Sequence, residues 1–515
     1  MSDELGSEVT ERPPAWRRAV ARAQQLRRPL LVLAGVGTAL GGMAGYWNAY
    51  RAARDAGTNA PPTATVPAAE AAARTIAVLG FANLGADAAD ATFAEGLSEE
   101  LVHLLARVRG LRVTARSSAL QFKGRETPMT EIARRLQVGY LVDGTVQRAG
   151  DKVRIGAQLV DGRNGTVLWS GHFERDLRDV LTAQTELALQ IGRSLQLPID
   201  ASTLAGSGTK NLEAWQLFMR AQRLQPGQRA DLYRQALALD PAFARAHVEL
   251  AEEETTGDWR GRDAPTVGAS MVPHLEAALR IDPRLAIAYG RLATAAALRD
   301  DLEAVRRYAR KALELDPGDP AGHHWTAELA LRELRIDEAV AERRQLLELE
   351  PLHGLPHLDL ARLLRLLNRP AEALALIDQA LVLRPDWLPA QFEKAMSLLG
   401  LGRRDEALAL ARPRGWVDVV GMAGSAEDLA AMRQRSGLNE HRQAALAFFE
   451  GRYDTFFDHF EKDHSDFMER NRAMFDPMLD RVREHARFKA WLARYGMTEI
   501  HDRAQAWRAA NPGPR

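Results

Sequence analysis

The sequence predicts a multidomain chain: a single transmembrane helix, a small α/β domain with a mixed sheet, and an all-α solenoid of two-helix repeats closed by a helical C-terminal cap. Three observations carry this expectation. Leu30 to Trp47 is an uncharged run of 18 residues. Between 74 and 203, short β-branched runs alternate with amphipathic segments. Beyond 210 a proline-terminated motif keeps returning, at Pro241, Pro283, Pro317, Pro351 and Pro385, with gaps of 42, 34, 34 and 34 residues. The divisions are a tail (1–28), an anchor (29–50), a linker (51–73), the α/β domain (74–203), the repeats (210–417) and a helical, repeat-like capping region (418–515).

Each division follows from physical chemistry. At 515 residues the chain exceeds what one core can organise. Lys plus Arg and Asp plus Glu are 68 each, which gives no electrostatic footprint of a nucleic-acid binder. The absence of cysteine excludes disulfides, thiolate metal sites and cysteine nucleophiles.

As a helix, Leu30 to Trp47 spans about 27 Å, close to a bilayer's hydrocarbon thickness. Tyr46, Trp47 and Tyr50 cluster at its far end, where amphipathic rings favour the interface. Arg17, Arg18, Arg22, Arg27 and Arg28 precede it, and only Arg51 and Arg54 follow nearby. This asymmetry predicts a single pass through a bacterial inner membrane, with the N-terminus cytoplasmic and the bulk of the chain periplasmic. A cleaved signal peptide is the rival reading; the long leading segment and the lack of a prompt A-x-A site argue against it. Gly37, Gly41 and Gly45 share one face and would let a second helix approach closely, giving a homodimer.

The linker, "GTNAPPTATVPAAEAAA", has no apolar periodicity and reads as a flexible spacer. After it, "TIAVLGF" and "LRVTAR" read as strands, and "DATFAEGLSEELVHLLARV" and "MTEIARRLQ" as helices, with Gly96 an oddity inside the first. "YLVDGTVQR", "KVRIGAQLVD" and "TVLWSGHFER" follow as strands joined by the turns "AGD" and "GRNG", and a helix closes the domain from about Asp179 to Leu195. The run containing Gly96-Leu97-Ser98-Glu99-Glu100-Leu101, Arg116-Ser117-Ser118, Asp143-Gly144-Thr145-Val146 and Leu168-Trp169 resembles the TolB amino-terminal-like domain of bacterial envelope and regulatory proteins. The resemblance implies membership among CadC-related regulators and cyclase-type signalling proteins, where this module commonly leads into tetratricopeptide repeats. Those relatives often carry a winged-helix or cyclase domain, and the 28 residues ahead of the anchor are too few for either.

Each 34-residue unit predicts two helices, the second ended by proline, which cannot continue it. Small residues recur where paired helices cross: Ala293 and Ala312, Ala327 and Ala339, Ala361, Ala373 and Ala380, then Ala395 and Ala407. This pattern resembles the tetratricopeptide repeat, most closely over Ala286 to Pro385. The 42-residue gap predicts an insertion at Thr255 to Thr266, between the helices of its unit. Past Leu410 the register fails, "LAFFEGRYDTFFDHFEK" reads as one more hairpin, and the aromatic tail reads as a solenoid cap.

No catalytic set assembles from the sequence. His353 and His357 enclose Gly and Pro and no Glu, so no zinc-binding helix is expected. "AGSGTK" lacks phosphate-loop spacing, and Asn164-Gly165-Thr166 is accounted for by its hairpin turn. The expectation is a non-catalytic protein without cofactor, metal or nucleic-acid partner. Its repeats would hold a protein or peptide in a groove lined by first helices, at His324, Glu328, Arg332, Arg362 and Arg365. The two arginines, three apart on one helix, suggest an acidic partner segment. The competing expectation is signal transduction to the cytoplasm through the basic tail "WRRAVARAQQLRR".

Overall fold

The structure, a computed structural model, describes residues 74–512 except 86–87, 124–125, 200–203, 205–207, 257–262, 436–438 and 464–466. The tail, the anchor with Gly37, Gly41 and Gly45, and the linker lie outside the described residues. Among those described, no helix is long and apolar enough to cross a membrane.

The α/β domain is a mixed sheet ordered β3-β1-β4-β5-β6, where β1 is Thr75–Val78, β3 Arg112–Val113, β4 Tyr140–Ala149, β5 Lys152–Asp161 and β6 Val167–Asp176. β1 runs parallel to β3 and β4, and the last three strands form an antiparallel meander. A short β2 (Ala82–Asn83) extends the parallel pairing along β4. The turn before β6 has Gly165 at φ +73°, and Asn164 Oδ1 accepts from Thr166 N at 2.9 Å, so the hairpin does use "RNG" as its turn. One sheet face, with Val142, Val146, Val153, Ile155 and Leu159, is covered by α1 (Ala88–Ala106) and α4 (Val180–Ser194). The other is covered around β1 by α2 (Arg116–Ala119) and α3 (Met129–Leu136). The predicted strand at 111–116 shrinks to two residues for a tertiary reason. Ala115 leaves the sheet and donates its N–H to Leu349 O, far along the helical array, at 3.1 Å.

The core does not stop at the expected boundary between 203 and 210. Trp215, Phe218, Tyr233 and Phe243 share one apolar cluster with the sheet and α1, and Leu204 is buried in it. Gly96 explains itself here: a Cβ would sit 2.7 Å from the Trp215 ring, so the helix accepts a glycine to let the first repeat approach. Arg245 then clamps the junction, reaching Glu100 and, at 3.0 Å, Glu99. Part of the signature Gly96 to Leu101 therefore joins the domain to the array.

The array consists of α5 (Leu212–Ala221) with α6 (Ala230–Leu239), α7 (Ala244–Thr256) with α8 (Ala264–Ile281), α9 (Ala286–Leu298) with α10 (Leu302–Leu315), α11 (Pro320–Arg332) with α12 (Ile336–Leu349), α13 (Gly354–Leu366) with α14 (Pro370–Leu383), and α15 (Leu388–Gly400) with α16 (Arg404–Arg414). All nine alanines expected at helix crossings are buried. The recurring Asp-Pro has a second role besides stopping the helix. Asp240, Asp282 and Asp316 each accept from the backbone N–H two residues on, at 2.9, 3.0 and 2.8 Å. The period also recurs in the backbone between paired helices. Asp300, Leu334, Asn368 and Gly402 have φ of +60°, +60°, +60° and +73°. Each is followed by an N–H that returns to the carbonyl five residues back, which closes the first helix.

The far end is closed by α17 (Val417–Ala423), α18 (Ala426–Gln434) and α19 (Glu440–Phe449), whose Val417, Val420, Met432 and Leu446 pack on the last pair. The hairpin expected at 446–462 is α19 with α20 (Tyr453–Asp463). The remaining helices, α21 (Phe467–Phe475), α22 (Ala486–Arg494) and α23 (Thr498–Ala510), depart from the expected end cap. They fold back and share a core with residues 330–390 in the middle of the array.

Candidate functional site

The five residues expected in the groove do lie on first helices. His324, Glu328 and Arg332 are spaced by four along α11, and Arg362 and Arg365 lie on α13. They do not form an open charged surface. Glu328 is ion-paired with Arg343 of α12, both side chains 5% exposed. His324 Nδ1 accepts from Arg343 Nη1 at 2.9 Å. Burial, then the Arg343 and Arg472 cations, hold the His324 imidazole well below its ordinary value, so it is neutral. Burial lowers Arg332 as well, and Arg470 adds to the effect while Asp300 opposes it. Arg362 Nε and Arg365 Nε each donate to Glu393, one to either oxygen, both at 2.8 Å. Burial pushes Glu393 up, but the two arginines outweigh it and hold the carboxyl below its usual range.

What faces these residues is the protein's own α21. Asn471, fully buried, donates from Nδ2 to Glu328 O at 3.0 Å and to Glu328 Oε2 at 3.1 Å. Met468 Sδ lies 3.3 Å from His324 Nε2. Arg470 pairs with Asp300, at the turn between α9 and α10, and lies over the Tyr495 ring at 4.2 Å. Arg472 is engaged by Glu469 and feels Glu328 and Asp359. Beside α21 a cleft of about 450 Å³ stays open, lined by Arg362, Leu388, Phe392, Trp416 and Arg472 among others. Phe392 and Trp416 meet edge to face at 5.4 Å, and Leu388 is exposed.

The other singled-out residues are engaged within the chain. His353 pairs with Glu350, and His357 Nδ1 contacts the His353 carbonyl at 2.9 Å. His323 lies between Glu342 and the Pro317 carbonyl. In "AGSGTK" the Thr209 hydroxyl donates to Asp240 at the end of the first helix pair. Arg343, Glu393, Asp300 and the tail residues were not singled out from the sequence. Glu393 had a usable signal, since it stands on the next first helix, 31 and 28 residues after Arg362 and Arg365.

Residues 72–189 match the family described as the HilA/YgeH-like transcriptional regulator, second domain. A relative from Rhizobium meliloti (strain 1021), "Putative adenylate cyclase 3", is 28% identical over 301 residues, which cover 56% of this chain and 45% of that protein. The chain thus spans less than half of that relative's length. Among solved structures, the LpoB C-terminal domain from Salmonella enterica matches 20% of this chain and 84% of its own (18% identity, TM-score 0.18). Lipoprotein GNA1162 from Neisseria meningitidis matches 24% and 99% (22% identity, TM-score 0.17). A human IFIT1 dimer with m7Gppp-AAAA matches 65% and 78% (13% identity, TM-score 0.33).

Proposed function

We propose that the chain is a non-catalytic, membrane-anchored regulatory scaffold that binds a protein partner on the inner face of its repeat array. In this reading the α/β domain is a TolB amino-terminal-like module and the array is built of tetratricopeptide repeats. The observation that carries it is the open cleft beside α21, where Leu388, Phe392 and Trp416 supply apolar contact. Leu388 is 57% exposed, so Leu388→Asp should leave folding unchanged and reduce capture of a cross-linked partner in cells. Undiminished capture by a folded Leu388→Asp chain refutes the cleft assignment. Arg365→Glu is the weaker test, because Arg365 is nearly buried on Glu393 and its reversal would disturb the fold.

The regulatory part of the reading is supported by the match of 72–189 to a transcriptional-regulator domain and by the relative bearing a cyclase name. A second reading, signalling to a separate DNA-binding or cyclase partner in the cytoplasm, rests on the same matches and on the arginine-rich tail. Deleting residues 2–16 while keeping the five arginines should abolish output only under this second reading. Topology has its own test, since the chain contains no cysteine. An impermeant thiol reagent on intact spheroplasts should label Thr58→Cys and spare Ser2→Cys; the reverse pattern overturns the inner-membrane orientation.

A further inference from the structure

We infer that the inner face of the array is a groove for a basic helix, and that α21 (Phe467–Phe475) is its built-in occupant, in exchange with a partner helix carrying the same Arg-Asn-Arg pattern. The inference rests on the partner-binding reading above and gives that partner a chemistry. It also reverses the expected charge. Arg362 and Arg365 are held by Glu393 and do not call for an acidic ligand.

The groups of the array that meet the polar side chains of α21 are carboxylates and one carbonyl, with the His324 ring and the Arg332 cation beside them and Glu328 shared with Arg343. Asp300 takes Arg470, the side chain and backbone carbonyl of Glu328 take Asn471, and Glu328 and Asp359 act on Arg472. These acids lie in three successive units, at the α9–α10 turn, on α11 and on α13, so a helix laid across the first helices meets them in turn. Recognition is by polar and charged contacts between elements more than 100 residues apart in sequence, with Met468 on His324 beside them. The fit is incomplete. Asn471 Oδ1 is buried and accepts no hydrogen bond, and Arg470 brings a second cation next to Arg332. An occupant with such defects is held less firmly than a fully matched one, which is what exchange requires. The C-terminal half of α21 is different. Ala473, Met474 and Phe475 share one core both with Phe488 and Trp491 of the tail and with Leu331, Leu358 and Leu363 of the array, so exchange of α21 has to open this apolar contact as well as the polar ones.

The probe is a labelled synthetic peptide of residues 463–477, titrated into the full chain and followed by fluorescence anisotropy, with hydrogen exchange read over α21. Asn471→Asp in the chain places a carboxylate against Glu328 and weakens only the internal occupant. The peptide should bind this variant roughly tenfold or more tightly than the parent, because a competing occupant lowers apparent affinity by the fraction of grooves left open. A peptide carrying the same Asn→Asp change should bind neither chain. Asp300→Asn serves where Asn471→Asp fails to fold: Asp300 is half exposed and its φ of +60° suits Asn. This variant should speed exchange in α21 and leave the array protected. Unchanged exchange in Asp300→Asn, or a loosened α21 with no peptide binding, overturns the proposal and makes α21 a fixed part of the core. Partner capture that stays sensitive to Leu388→Asp in that case preserves the scaffold reading, so the two failures are distinguishable.

Discussion

Arg245→Met should break the junction between the α/β domain and the array. The Arg245 side chain is 4% exposed, pairs with Glu99 and Glu100, and lies over the Phe218 ring at 5.0 Å. Methionine keeps the length and the apolar contact with Phe218, so the change removes the guanidinium and little else. Arg116 still reaches Glu99 at 3.4 Å, while Glu100 is left buried against the repeats. Removing one partner of a buried pair costs about 3–5 kcal/mol. The remaining Arg116 places this case at the lower end, about 3 kcal/mol. At roughly 2 °C per kcal/mol for a large unit, the melting temperature should fall by about 6 °C. Adding Glu99→Gln and Glu100→Gln should recover most of the loss, because amides tolerate burial far better than uncompensated carboxylates. Circular dichroism melts of the four combinations measure the coupling. An Arg245→Met chain that melts with its parent, or one that the double Glu→Gln change destabilises further, would falsify the clamp.

Two further outcomes follow from the array. Ala361 is fully buried at a helix crossing, so Ala361→Leu overpacks it by about 1–3 kcal/mol and should lower the melting temperature with loss of helical signal; an unchanged melt refutes the crossing. Asp319 caps α11 by accepting from Gly322 N at 2.7 Å, and burial, aided by Asp316, pushes its carboxyl from 3.8 up to about 6. A folded-state value above the unfolded one means that stability present below about pH 4 is lost as pH rises through about 6. Asp319→Asn keeps an acceptor and does not titrate, so its stability should gain on the parent between pH 4 and pH 7.5, by up to about 3 kcal/mol. Chemical unfolding at the two pH values checks this, and a pH-independent difference refutes it.

The parts of the fold legible in the sequence are those fixed by local rules. Proline-ended helices and crossing alanines repeat because every unit solves the same packing problem, and the meander is written in alternating strands with turn residues between them. Tertiary demands account for the rest. Strand 111–116 is cut short because Ala115 pairs with Leu349. Gly96, an oddity in a helix read alone, is required by Trp215. The tail's aromatics announce a core but not its location, since Phe457, Phe488 and Trp491 would be equally apolar at the end of a solenoid or on its inner face. Repeat geometry places the five residues on first helices; their contacts are not legible, because Asn471 stands 143 residues from Glu328 and no local spacing connects them.

One helix ties these features into a single mechanical account. α12 sends Arg343 inward to Glu328 and His324, on the wall where α21 lies. Two residues later Gln345, and then Glu348, receive Arg112 of the sheet at 3.0 and 3.2 Å, and Leu349 receives the Ala115 N–H. The loop that follows holds the α/β domain again, through Leu352 with Ser118 and Gln121. The groove and the α/β domain therefore share a wall one helix thick. A shift on the groove side of α12 would carry to its domain side, because close-packed interiors have low compressibility. The α/β domain is also held at the start of the array by Arg245 and beside α8 by Arg107 on Asp282 at 2.7 Å. With those two attachments fixed, movement of α12 would be taken up at the Ala115 and Ser118 contacts, where β3 gives way to α2. That strand end is the place in the α/β domain where occupancy of the groove would be felt.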